Sequence, residues 1–144
     1  MANIRHLVSI KAPAAKIYEA ISTKEGLQKW WTDKVTGEAG VGQTLEFHFG
    51  PDYHQDMKVT KLDPNREVKW ESTDGHPEWV GTTVDFAIED KGDKSTLRFA
   101  HDGWKNQTDL LAECTYHWGR FMTSLKNVAE GNAGSNAWQI IEKH

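Results

Sequence analysis

The sequence predicts an α+β fold: a curved antiparallel sheet of about six strands wrapped around one long C-terminal helix, with two short helices after the first strand. Three observations predict it. Short runs of alternating apolar and polar residues recur between turn-forming clusters. Two brief stretches near the N-terminus carry apolar residues at helical spacing, and one long stretch near the C-terminus repeats them every three or four positions.

Ile4, His6, Val8 and Ile10 alternate with polar residues and read as a half-buried strand ended by Lys11-Ala12-Pro13. Pro13 suits the first turn of a helix, where its missing N–H costs nothing, and the helix runs to Ser22 with Ile17, Tyr18 and Ile21 on one face. Thr23 can cap a second short helix from Lys24 to Trp31, with Leu27, Trp30 and Trp31 inward. The period then becomes alternating. Leu45, Phe47 and Phe49 share one strand face, and Met57 and Val59 lie on a second strand, about Gln55 to Leu62. Asp63-Pro64-Asn65-Arg66 forms a turn, after which Val68, Trp70 and Ser72 alternate with Lys69 and Glu71. Gly75-His76-Pro77 breaks the chain before a long strand from Trp79 to Glu89, with Thr82, Val84, Phe86 and Ile88 on one side. Asp90-Lys91-Gly92-Asp93 reads as a hairpin turn into Ser95–His101, where Leu97, Phe99 and His101 share a face. Asp85 and Arg98 fall on the opposite faces of these two strands, where they could form a cross-strand ion pair.

From about Thr108 to Glu130, Leu110, Leu111, Cys114, Trp118, Phe121, Leu125 and Val128 form the stripe of an amphipathic helix, stopped by Gly131-Asn132. An antiparallel sheet with one apolar face must be covered, and this helix is long enough to do so. Residues 1–131 therefore read as one domain and 132–144 as a tail that could dock through Trp138, Ile140 and Ile141.

Composition narrows the function. The 144 residues carry 17 Lys/Arg against 21 Asp/Glu, with signs interspersed and no basic stripe, so nucleic-acid binding is not expected. No apolar run approaches the ~18 residues of a membrane span. No long apolar stretch follows Arg5, so no secretory leader is expected, and the cytoplasm is the expected location. A single cysteine, Cys114, excludes a disulfide framework and a multi-cysteine zinc site. Seven tryptophans require either a bulky core or an aromatic-lined cavity.

Several segments carry a family resemblance: Pro77-Glu78-Trp79-Val80-Gly81-Thr82, Leu97 through Trp104, Cys114 through Trp118 to Leu125, and Ala12-Pro13 with Gly26-Leu27 leading to Trp30-Trp31. Over about residues 3–130 the chain resembles the SRPBCC (START-like) superfamily, and within it proteins similar to activators of the heat-shock protein 90 ATPase. The resemblance implies a helix-grip architecture with an internal cavity, commonly for an apolar or aromatic ligand. Fold similarity alone assigns no chemistry.

The expected cavity lining comprises Trp30, Trp31, Phe47, Phe49, Met57, Trp70, Trp79, Val84, Phe86, Phe99, His101, Cys114, His117, Trp118 and Phe121. The same aromatics could instead fill a solid core, with Trp30-Trp31 a hydrophobic plug. His101 and His117, joined by His6 if the first and last strands pair, could orient a carbonyl or carry out base chemistry; the more common outcome is a buried imidazole satisfied by a backbone carbonyl. No His/carboxylate spacing on one helix face suggests a metal, His48, His54 and His76 fall on a solvent face or in turns, and no cofactor is expected. Cys114 with His117 one turn away lacks a visible third group for nucleophilic catalysis. The leading expectation is a protein that binds a small apolar or aromatic molecule. Second comes a cavity enzyme of the polyketide cyclase type with a His base; chaperone association ranks last.

Overall fold

A computed structural model describes residues 2–49 and 53–132 of the chain; the expected tail, from residue 133 onward, lies outside the described residues. The elements are β1 (Ala2–Ile10), α1 (Ala14–Ser22), α2 (Lys24–Trp30), β2 (Lys34–Gly37), β3 (Thr44–His48), β4 (His54–Asp63), β5 (Glu67–Asp74), β6 (Thr83–Asp90), β7 (Ser95–Trp104) and α3 (Asp109–Ala129). All seven strands form one antiparallel sheet in the order β1-β7-β6-β5-β4-β3-β2. Among the described residues, no helix is long and apolar enough to cross a membrane.

The α+β helix-grip arrangement is the expected one, with differences that have local causes. The sheet gains β2, whose four residues bury only Val35, too short a pattern to register as alternation. Gly37 ends β2 with φ +92°, and any Cβ there would meet the Thr44 carbonyl oxygen at 2.1 Å. Pro13 stands at the N-cap of α1, one position earlier than expected, whereas Thr23 caps α2 as expected by accepting from Gly26 N–H at 3.0 Å. Trp79 lies in a turn closed by Trp79 N–H to His76 O (2.9 Å), so β6 begins only at Thr83. Asp85 and Arg98 do not pair. Asp85 stands opposite Lys69 and Ala100, and Arg98 donates to Glu89 at 3.1 Å.

The inward face of the sheet follows the alternation: Leu45, Phe47, Met57, Val59, Val68, Trp70, Val84, Phe86, Leu97 and Phe99 are all buried. Its cover is shared, because α1 packs on β5 and β6 while α3 packs on β1, α1 and α2. Where α2 crosses α1, Gly26 allows contact so close that a Cβ would lie 2.5 Å from Glu19 O.

Trp31 is the hub of the interior. It stacks between Trp30 (5.9 Å, 11°) and Trp70 (5.9 Å, 5°) and touches Phe47, Phe49, Trp118 and Phe121 at ring-centroid distances of 4.4, 5.5, 5.1 and 6.0 Å. Trp30 is fixed by its indole N–H, which donates to Ala20 O at 2.8 Å. Offset and edge-on aromatic contacts of this kind add about 0.5–1.5 kcal/mol each beyond area burial.

Candidate functional site

The aromatic interior stops short of one end of the molecule. Between Phe49 and Tyr53, the turn before β6 and the first four turns of α3 lies a cavity of about 300 Å³, lined by Phe49, Tyr53, Gln55, His76, Trp79, Leu110, Glu113, Cys114, His117, Trp118 and Phe121. Its floor is apolar and buried: Trp79 and Trp118 lie nearly parallel at 6.0 Å, and Phe121 meets Trp118 edge-on at 5.4 Å. Tyr53, Glu113, Leu110 and His117 keep solvent exposure and form the rim.

The polar groups come from three elements. Gln55, fully buried on β4, donates through Nε2 to the Tyr53 hydroxyl and accepts from His76 N–H through Oε1 at 3.3 Å. His76 Nδ1 accepts from Glu78 N–H at 3.1 Å, which leaves Nε2 to carry the ring proton. On α3, Glu113 and His117 are one turn apart and reach the same rim.

Burial favours the neutral forms of Cys114, Tyr53 and His117. It pushes the Cys114 thiol up to about 11, against a hydrogen bond from Trp79, so the group is a thiol at neutral pH. It raises the Tyr53 phenol above its ordinary value and lowers His117, with Glu113 opposing the His117 shift. No three metal-ligating groups converge in the cavity among the described residues.

The structure divides the expected lining residues. Phe49, Trp79, Cys114, His117, Trp118 and Phe121 line the cavity; Trp30, Trp31, Phe47, Met57, Trp70, Val84, Phe86, Phe99 and His101 lie in the packed interior and do not line it. The His pair is separated. His101 is fully buried, its Nδ1 accepts from the Trp118 indole N–H (3.1 Å), and its Nε2 faces Thr82 Oγ1 (2.7 Å). β1 does pair with β7, and there His6 packs on Phe99 at 6.0 Å. Tyr53, Gln55, His76, Leu110 and Glu113 were not expected in the lining. Gln55 could have been found, because it shares the inward face with Met57 and Val59 and is the polar member of that row.

The sequence model of the family described as "Activator of Hsp90 ATPase homolog 1-like protein" matches residues 11–130. The chain belongs to this family. Among solved structures, the Aha1 dimer from Colwellia psychrerythraea is 42% identical, with a TM-score of 0.83 over 90% of this chain and 97% of that one. Two others share the fold alone. CalU16 from Micromonospora echinospora is 15% identical (TM-score 0.76; 92% of this chain, 69% of that one). A Mesorhizobium loti protein is 18% identical (TM-score 0.77; 88% and 96%). No curated protein matches the chain significantly. Membership in the Hsp90 ATPase activator-like family agrees with the helix-grip fold of the SRPBCC superfamily.

Proposed function

We propose that the chain binds one small, uncharged molecule with a flat apolar or aromatic body and one polar end in the cavity at the N-terminal end of α3. The observation that carries this reading is the pairing of a Trp79–Trp118–Phe121 floor with hydrogen-bonding groups from Tyr53, Gln55, His76 and His117. A volume of about 300 Å³ is at the small end of ligand sites, so the guest is about the size of a one- or two-ring compound. A ring burying ~200 Å² gains about 5 kcal/mol at ~25 cal/mol per Å², and the polar end supplies orientation.

Titration of the full chain with naphthol- and indole-type compounds, followed by tryptophan fluorescence and amide shifts, tests the reading. Saturable binding is expected near ~0.1 mM or tighter, with the largest shifts at Trp79, Cys114 and Trp118. Cys114→Phe, which fills the cavity, and Leu110→Trp, which narrows its rim, should both abolish binding while the far-ultraviolet spectrum is kept. Binding that survives both substitutions places the guest elsewhere and overturns the reading. If the site turns substrate over, His117 is one of the two imidazoles lining it, with His76, and a base role for His117 predicts that His117→Gln removes turnover and spares binding.

The family match favours a second reading, contact with an Hsp90-type chaperone. Such contact would draw on exposed large apolar residues, which among the described residues are Leu7, Val41, Tyr53, Val80 and Tyr116. Stimulation of a chaperone's ATPase by the full chain, unaffected by Cys114→Phe, would support this contact independently of the cavity.

A further inference from the structure

On the opposite face of β4 from Gln55, the chain assembles a second set of groups. His54 and Asp56 flank Gln55 and project outward, and His54 Nδ1 lies 2.7 Å from Asp56 Oδ1. Regular pairing would put Thr73 opposite Asp56, since Met57 pairs with Ser72. A bulge shifts the register so that Asp56 pairs with Asp74 instead. Asp74 is then held in place by its own carboxylate, which accepts from Gly75 N–H at 2.9 Å. The turn after it needs glycine: Gly75 has φ +128°, and a Cβ there would meet Gln55 Oε1 at 2.1 Å and His54 O at 2.8 Å.

The result is one imidazole nitrogen and two carboxylates whose ligand atoms all lie within 4.8 Å of one another. Two carboxylates directly opposite on neighbouring strands repel. Glu46 adds a third acid opposite Asp56 on β3, and among the described residues no Lys or Arg forms an ion pair with Asp56 or Asp74. Adjacent ligands of an ion bound at ~2.1 Å are about 3–3.5 Å apart, so the His54–Asp56 separation of 2.7 Å needs little change, and Asp74 lies within 4.8 Å of both. A mixed nitrogen and oxygen set favours zinc-like first-row ions over calcium or magnesium, which take oxygen ligands.

We propose that His54, Asp56 and Asp74 bind a single divalent first-row transition-metal ion on the outer face of the sheet, with water completing its coordination. The site is independent of the cavity reading: His54 and Asp56 project from the face of β4 opposite Gln55, Asp74 ends the neighbouring β5, and none of the three lines the cavity.

Calorimetric titration of the full chain with zinc chloride and with nickel chloride, in a non-chelating buffer, tests it. One equivalent is expected, with amide shifts or nickel-induced broadening centred on residues 54, 56 and 74. His54→Ala and Asp74→Asn should each weaken binding about tenfold or more, whereas His76→Ala should leave it unchanged. Absence of saturable binding overturns the proposal. So does zinc binding that is indifferent to both ligand variants, and so does calcium binding as tight as zinc binding.

Discussion

His101 shows how one residue can look catalytic in sequence and be structural in the fold. Its Nδ1 accepts from the Trp118 indole N–H, so the proton sits on Nε2 and is donated to Thr82 Oγ1, which itself donates to Trp79 O at 2.6 Å. This relay ties α3, β7 and the turn before β6 together with every donor used. Burial pushes the imidazole down to about 3, below its unfolded value of ~6.5. The unfolded chain therefore binds the proton more readily. The stability that neutral His101 contributes is complete above pH ~6.5 and is lost progressively as pH falls toward 3. Urea denaturation should show wild-type stability declining below pH 6.5. His101→Ala, which leaves the Trp118 indole N–H without its acceptor and the Thr82 hydroxyl without its donor, should cost about 2–4 kcal/mol at pH 7.5 and flatten that decline.

At the scale of elements, the β5–β6 pair carries a carboxyl cluster on its outer face that opposes this trend. Glu67 accepts from Lys61 Nζ at 2.6 Å and lies 3.8 Å from Lys69, with the Asp85 carboxyl as its acidic neighbour. Partial burial first, and then the neighbouring Glu67, push Asp85 up to about 7, while Lys61 holds Glu67 below the ordinary carboxylate range. For Asp85 the folded state holds the proton more tightly than the unfolded chain does. Its contribution is complete below pH ~4 and is lost as pH rises through about 7. Asp85→Asn should therefore match the wild type near pH 5 and exceed it by about 1 kcal/mol at pH 8, after allowance for solvent screening at this half-exposed position. Thermal melts of both proteins at the two pH values measure the difference.

Across the whole molecule, stability is concentrated in the aromatic stack centred on Trp31, which joins the end of α2 to β3, β5 and α3. Trp31→Ala should cost about 3–5 kcal/mol in urea denaturation. Trp31→Phe should recover part of that loss, because an aromatic ring still lies between Trp30 and Trp70. Since Trp31 touches Phe49, Trp118 and Phe121 but does not line the cavity, the stack braces three residues of the site from behind.

The alternation of Leu45-Phe47-Phe49, Val84-Phe86-Ile88 and Leu97-Phe99-His101 was enough to assign strands and inward faces, because a strand's side chains alternate with a fixed period of two. The stripe from Leu110 to Val128 assigned the long helix in the same way, through its period of 3.6. Neither period says whether an inward aromatic meets another side chain or a void. Trp70 and Trp79 look alike as residues, yet one is wedged between Trp31 and Phe86 while the other floors a cavity. That difference depends on contacts between segments distant in the chain, since Trp79 meets Trp118 of α3 beside the cavity. The same holds for the outer-face cluster, since Asp74 meets Asp56 only through a register shift between two strands. Local pattern is a property of neighbouring residues and so can be read along the chain; cavity, relay and bulge depend on how separate elements meet, and only folding in three dimensions specifies them.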